Sequence, residues 1–252
     1  MTGGSKQLEG YLRELHLPTV REHLEEVARK AQQEELSYEQ FLLELVELES
    51  QVRRENRIHR RMRQSKLPPE KDLASFELKR IPAKVRRQVK TLLDGSFLDR
   101  KENVLAFGNP GSGKTHLLSA IGQELIHNHR TVYFTSTQLL VQELLIAKRD
   151  LTLSKLLKKL SRFDALIVDD LGYVKQSRQE MEVLFTLLAE RYERGSVMIT
   201  SNLPFSKWEA IFQDPMTTAA AIDRLVHHSV ILEINVPSYR VEQAKEGRMK
   251  EL

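Results

Sequence analysis

No cysteine occurs anywhere in the chain. Disulfides, Cys-ligated zinc and thiol catalysis are thereby excluded, and the composition fits a reducing, cytoplasmic setting. Long apolar runs are missing too: none approaches the ~20 residues that cross a bilayer, so no membrane role is expected. The first residues, Met1-Thr2-Gly3-Gly4-Ser5-Lys6, lack the apolar core of a signal peptide. Aromatic residues make up 6% of the chain, with a single tryptophan, Trp208, that reads as packing rather than as a stacking platform. The eight histidines show no metal-ligand spacing. His227 and His228 are adjacent, and on a helix neighbours point about 100° apart. They are therefore expected to make surface or phosphate contacts, not to bind metal.

What is present is a folded composition: 252 residues, 40% hydrophobic and 29% charged. That suffices for one large domain, or a medium one plus a small one. One stretch stands out, Gly108-Asn109-Pro110-Gly111-Ser112-Gly113-Lys114-Thr115. It fits G-x-x-x-x-G-K-[ST], the phosphate-binding P-loop. At roughly 7% glycine usage, a chance match in such a chain is about one in a hundred. Asn103–Phe107 ahead of it reads as a buried strand, and His116–Ile126 after it as a helix with an apolar face. In that setting the loop amides and the helix N-terminus favour an anion. Lys114 would reach the β- and γ-phosphates of a nucleoside triphosphate, and Thr115 would offer its hydroxyl to Mg²⁺.

The net charge is only +4, but it is unevenly placed. Residues 51–66 carry Arg53, Arg54, Arg57, Arg60, Arg61, Arg63 and Lys66 against Glu55 alone. A second basic cluster spans residues 79–101. A third, at 148–162, holds Lys148, Arg149, Lys155, Lys158, Lys159 and Arg162 against Asp150. Three such clusters in a nearly neutral chain point to polyanion contacts.

Residues 5–64 read as helices only. Leu8, Tyr11, Leu12 and Leu15 share one helical spacing. Val20, Leu24, Val27 and Ala28 share another, after Pro18. Ser37 with Gln40 gives a capping-box pattern, and Phe41, Leu45, Leu48 and Val52 continue that helix. The pattern fits a small bundle with a basic tail, and it permits but does not establish a helix-turn-helix arrangement. Leu67-Pro68-Pro69 breaks the pattern, giving domains 1–66 and 67–252. A helix opens after Ile81-Pro82. Beyond it, strands are expected at 103–107, 131–134, 165–170, 196–200 and 229–234. Helices are expected at 137–147, 151–160, 179–194, 206–212 and 217–228. Apolar runs alternating with helices indicate an α/β fold, a parallel sheet flanked by helices.

Leu166-Ile167-Val168-Asp169-Asp170 is a buried strand ending in acid, about 50 residues after the P-loop. Such a strand delivers carboxylates to the place where Mg²⁺ is held. Asp169 would hold the metal through water, and Asp170 would orient or deprotonate the attacking water. Val197–Asn202 is the next strand. Asn202 either contacts the γ-phosphate or attacking water, or closes an ordinary Ser-Asn turn. Arg224, before the last strand, either stabilises a transferring phosphoryl group or is an ion-paired surface residue. If that phosphate lies on a neighbouring subunit, Arg224 is an arginine finger in trans.

The segments GNPGSGKTHLLSAIG, LIVDDLGYV, ITSNLPFSKW and AAIDRLVHHSVILEINVPSYR, in that order, resemble the IstB family. These are ATP-dependent helper proteins of insertion-sequence transposons, in the clade of DnaC and DnaA. The similarity is strongest over residues 70–245. It implies an AAA+ P-loop NTPase fold behind a small all-α N-terminal domain, and ATP-driven oligomerisation on duplex DNA with ATP sites at subunit interfaces. It also implies delivery of target DNA to an IstA-like transposase. By this resemblance Lys114, Thr115 and the neighbouring His116 belong to Walker A, and Asp169 and Asp170 to Walker B. Asn202 becomes sensor I, Arg224 the finger and Arg240 a sensor II-like residue. Residues 136–162 become the clade's DNA-contacting helical insertion. Three departures stand out. Asp170 sits where many AAA+ proteins have Glu, and His228 where DnaA and DnaC have a second Arg. Little chain follows the last strand, which leaves little room for a lid around Arg240. A DnaC-like helicase loader, a small-molecule kinase and a non-hydrolysing DNA scaffold are the rival readings. A kinase needs an acceptor site and a mobile lid, and neither is visible.

Overall fold

Five apolar runs become five parallel strands in the computed structural model, which describes residues 3–172, 177–208, 215–239 and 241–242. They are β1 (Asn103–Phe107), β2 (Val132–Ser136), β3 (Ala165–Leu171), β4 (Ser196–Ser201) and β5 (Ser229–Glu233). The sheet order is β2-β3-β4-β1-β5. β4 and β5 both pair with β1, so β1 lies at the middle of their half of the sheet. All strands run the same way, so their C-terminal ends share one edge. Ligands of open parallel sheets bind outside that edge.

Among the described residues the helices are α1 (Gly3–Glu14), α2 (Pro18–Gln33), α3 (Tyr38–Ser65), α4 (Ala83–Leu92), α5 (Ser96–Asp99), α6 (Lys114–His127), α7 (Thr137–Arg149), α8 (Leu153–Leu160), α9 (Arg178–Arg191) and α10 (Pro215–Val226). The helix α6 lies against β1 through β4. On the other face, Leu105, Leu166, Val168, Val197 and Ile199 form one core with Leu140 and Leu144 of α7, Leu184 and Leu187 of α9, and Leu225 of α10. Covered on both faces, the inner strands β1, β3 and β4 need apolar residues at nearly every position, which is why they read as continuous runs.

Several boundaries differ from the sequence expectation for local reasons. β2 runs on to Ser136, whose hydroxyl also accepts the N–H of Leu139 and caps α7. Expected to run to 194, α9 stops at Arg191: Tyr192 turns extended and Glu193 takes a left-handed conformation. Expected to run to 228, α10 ends at Val226. Of the helix expected at 206–212, residues Phe205–Lys207 form a 3₁₀ turn, and 209–214 lie outside the described residues. Trp208 is fully buried and its indole N–H donates to the Leu203 carbonyl, so it packs as expected.

Close contacts divide the chain into residues 1–60 and 61–252. In the first unit Leu12, Val20, Val27 and Leu45 make a small core, with Leu24, Phe41 and Leu48 against it. Leu8, Tyr11 and Leu15, expected to pack with Leu12, are exposed instead. Ser37 and Gln40 make both hydrogen bonds of the capping box. Buried Glu49 accepts the N–H groups of Thr19 and Val20 at the start of α2, and the Arg53 guanidinium at 2.7 Å.

In the second unit one buried cation ties several segments together. Arg191, 2% exposed, donates to the carbonyls of Leu160, Phe163, Asp164 and Ser196 at 2.9–3.2 Å. Burial pushes its pKa down to about 10.

Candidate functional site

The P-loop joins β1 to α6 at the C-terminal edge of the sheet. Its shape depends on glycine. A Cβ on Gly108 would lie 2.3 Å from the Ile234 carbonyl oxygen. Gly111 has φ +78°, and a Cβ there would lie 2.1 Å from Ser238 Oγ. The segment after β5 therefore packs directly on the loop, and the Tyr239 N–H donates to the Gly111 carbonyl at 3.0 Å. Lys114 is 6% exposed and donates to the carbonyls of Gly108 and Asn109 at 2.9 and 3.0 Å. Its ammonium thus lies across the mouth of the loop. The buried Ser112 hydroxyl has no hydrogen-bond partner among the described residues.

A cavity of about 480 Å³ opens on this loop. Pro110 through His116 form its floor, and Asp170 and Asn202 reach it from the ends of β3 and β4. Its volume is that of a small-ligand site. The groups that meet there suit a nucleoside triphosphate with a hard cation: loop amides and Lys114 for phosphate, and the oxygens of Thr115 and Asp170 for Mg²⁺.

The two aspartates face different ways. Asp169 is 8% exposed and lies behind the cavity wall, with Oδ1 accepting the Thr200 hydroxyl at 2.6 Å. Its carbonyl accepts the Thr137 hydroxyl at 2.8 Å. Between Val168 and Leu171 the pairing of β3 with β4 slips. In that irregularity Asp170 takes φ +58°, and its N–H donates to Thr200 Oγ1 at 2.8 Å. A left-handed non-glycine residue costs on the order of 1 kcal/mol. Here it turns the Asp170 side chain to the cavity instead of along the strand face.

The cavity has walls that the sequence reading did not assign. Lys71, Ser75, Phe76, Glu77 and Arg80 line one side, and Val236, Pro237 and Tyr239 another. Arg80 lies 4.7 Å from the centre of the Tyr239 ring and pairs with Glu242. His116 is turned toward the first wall: its Nε2 lies 3.2 Å from Ser75 Oγ and 3.0 Å from the Asp72 carbonyl, and its ring meets Phe76 edge-on. It fastens the 72–76 loop to α6. An aromatic residue in a short turn before α4 was the available signal. Thr200 was also missed, because a threonine inside a strand reads as ordinary β propensity. Arg240 lies outside the described residues.

Arg224 is not at this edge. It sits near the end of α10, where Asn103 at the start of β1 donates to the Leu225 carbonyl at 3.1 Å. The full length of β1, about 17 Å, separates that point from Gly108, so Arg224 does not reach phosphates on its own loop. Its guanidinium lies 4.8 Å from the Phe185 ring centre and donates to the Ala220 carbonyl. Among the described residues it forms no ion pair with a carboxylate. His227 and His228 follow the end of α10 instead of lying on it, so the helical angle does not apply to them. Their ring centres are 4.1 Å apart.

The basic candidates differ in how committed they are. Arg53 is held by Glu49 and by the His16 carbonyl, while Arg54, Arg57 and Arg60 are exposed on α3. Arg61 donates to the His129 carbonyl. Lys148, Arg149 and Lys159 pair with Glu182, Asp150 and Glu143. Lys155, Lys158 and Arg162 are exposed along one side of α8 and its exit, with no ion pair among the described residues.

Known proteins share this architecture. The DnaC helicase loader superimposes with a TM-score of 0.58 at 17% identity, over 66% of this chain and 98% of its own. AMPPCP-bound DnaA from Aquifex aeolicus gives 0.54 at 19% identity, over 74% of this chain and 56% of its own. At such identities the likeness establishes the AAA+ fold alone. Sequence relatives are nearer. The insertion sequence ATP-binding protein y4iQ/y4nD/y4sD of Sinorhizobium fredii is 44% identical over 94% of this chain and 80% of its own length. The ATP-binding protein of insertion sequence IS5376 from Geobacillus stearothermophilus is 36% identical over 95% of this chain and 96% of its own. Residues 10–247 match the family described as IstB-like ATP binding protein, and with its P-loop at the edge of a parallel AAA+ sheet the chain belongs to that family.

Proposed function

We propose that this family member is a cytoplasmic, Mg²⁺-dependent ATPase that assembles with copies of itself on duplex DNA and assists transposition by delivering target DNA to its transposase. The observation that carries this reading is the separation of Arg224 from the P-loop of its own chain. One edge of the sheet gathers Lys114, Thr115, Asp170 and Asn202 around a cavity. The opposite edge carries a cation with no carboxylate partner among the described residues. Each chain then holds half of two sites, which a head-to-tail assembly completes.

In this reading the P-loop amides and Lys114 bind the β- and γ-phosphates, Thr115 would hold the cation directly, and Asp169 would reach it through water. Asp170 orients or deprotonates the attacking water, and Asn202 positions it against the γ-phosphate. Mg²⁺ supplies charge neutralisation on the phosphate oxygens. A neighbour's Arg224 stabilises the transferring phosphoryl group. DNA contact is assigned to Arg54, Arg57 and Arg60 in the helical unit and to Lys155 and Lys158 on α8. The helical unit is the DNA- and partner-binding domain, a role also supported by the exposed Tyr38, Leu42 and Val46 on α3. The relatives' association with insertion sequences supports the transposase as partner.

Sizing the chain with duplex DNA, with and without ATP, tests this directly. Large complexes are expected only with both ligands, and Lys114→Ala is expected to abolish them. Complexes that form equally without ATP would remove the switch. A helicase-loading role remains the second reading, favoured by the DnaC likeness. Capture of a replicative helicase in place of the transposase would select it.

A further inference from the structure

Two turns at the N-terminal edge of the sheet bring three metal-ligating side chains together. One turn joins α9 to β4 and carries Glu193, held at φ +56°. The other joins α10 to β5 and carries His227 and His228. It is pinned at both ends: the His227 N–H donates to the Asp223 carbonyl, and the His228 carbonyl accepts the Asn103 N–H at 2.7 Å. Because β4 and β5 flank β1, turns about 35 residues apart in sequence become neighbours in space. One ligand atom each from Glu193, His227 and His228 lies within 4.8 Å of the other two.

We propose that Glu193, His227 and His228 bind a divalent transition-metal ion such as Zn²⁺, at a site separate from the P-loop. Two imidazoles and a carboxylate are a donor set that Zn²⁺ takes at ~2.0–2.2 Å. Mg²⁺ prefers oxygen alone. Tetrahedral bonds of that length space the ligand atoms about 3.4 Å apart. All three side chains are exposed, so small rotations close the remaining gap. The outer contact is already in place: the Tyr192 hydroxyl lies 3.0 Å from His227 Nδ1. A tautomer in which Nδ1–H donates to that hydroxyl leaves Nε2 as the nitrogen free to ligate the ion. Arg100, which lines the same pocket, is neutralised by Glu102 at 2.8 and 2.9 Å.

Two of the three ligands, Glu193 and His228, line a pocket of about 220 Å³ together with Arg224, which stands three residues before His227. A bound ion would cross-link the two turns and fix the surface that presents Arg224. With three protein ligands, a fourth position stays open to water or to a group from another chain.

The test is calorimetric titration of the full-length, tag-free, metal-stripped chain with ZnCl₂ in the absence of nucleotide. One saturable site per chain is expected, and a rise in Tm of about 5 °C at a hundredfold excess over Kd. Glu193→Gln and His228→Ala should each weaken binding at least tenfold, and Tyr192→Phe should weaken it measurably. His127→Ala, which removes another exposed histidine beside a carboxylate (Glu124, 3.9 Å), should change nothing. Glu193→Gln is nearly isosteric, so its result stands even if a histidine variant folds poorly. Absence of a saturable site, equal affinity in Glu193→Gln, or equal binding of MgCl₂ would each overturn the proposal.

Discussion

The Thr200 hydroxyl donates to Asp169 Oδ1 at 2.6 Å and accepts the N–H of Asp170 at 2.8 Å. One side chain on β4 therefore fixes both acidic residues at the end of β3. It holds one carboxylate behind the cavity wall and supports the left-handed turn that aims the other into the cavity. Thr200→Val removes both bonds at nearly constant volume. Turnover is expected to fall about ten- to a hundredfold, with nucleotide affinity largely kept, while Thr200→Ser recovers most of the loss. Nucleotide titration beside steady-state phosphate release separates the two effects. Equal turnover in Thr200→Val would leave the hydroxyl with a packing role only.

Arg224→Ala should bind nucleotide like the parent chain and lose about a thousandfold in hydrolysis. Because the cation acts on a neighbour, mixing is informative. Lys114→Ala lacks a working loop but keeps its Arg224, so adding it to Arg224→Ala should restore part of the activity. A mixture as inactive as its components would argue against a shared site.

Replacing Lys155, Lys158 and Arg162 together with Gln should weaken duplex binding and flatten its salt dependence by about 0.9 in slope per lost phosphate contact. The same exchange at Lys148, Arg149 and Lys159, which are already paired with acids, should do less. Fluorescence anisotropy across a salt series measures both. Equal slopes in the two variants would show that ion pairing does not decide which lysines reach DNA.

In the N-terminal unit, burial works against the charge on Glu49. Hydrogen bonds from Arg53, Val20 and Thr19 outweigh it and leave its pKa below the ordinary glutamate value of 4.5. A lowered folded pKa means stability that is complete above the unfolded value and lost as pH falls below it. Glu49→Gln should cost about 1–3 kcal/mol at neutral pH and shrink the stability lost between about pH 5 and 3. Urea titrations of both chains at several pH values test this. Parallel acid limbs would assign the pH dependence to other carboxylates.

The inner strands were legible because they are buried on both faces: Asn103–Phe107 and Ala165–Leu171 are written almost wholly in apolar residues up to the acids. The P-loop was legible because its glycines are demanded by backbone approaches that admit no side chain, as at Gly108. Less could be read where partners lie far apart in the chain. Thr200 matters only through β3, and the 71–81 wall only through where α4 and the tail of β5 come to rest. The histidine pair was placed on the helix because a helical pattern was carried two residues past its end at Val226. An end set by pairing of the next strand with β1 leaves no local mark.

Arg191 gathers carbonyls from the end of α8, the approach to β3 and the first residue of β4. None of these segments can detach without stranding a buried cation, so their local opening is forced to be concerted. In hydrogen exchange the amides there should report one shared opening free energy instead of a graded series. The two strands that present Asp170 and Asn202 at their C-terminal ends thus open, or stay closed, together with the helix whose lysines face outward.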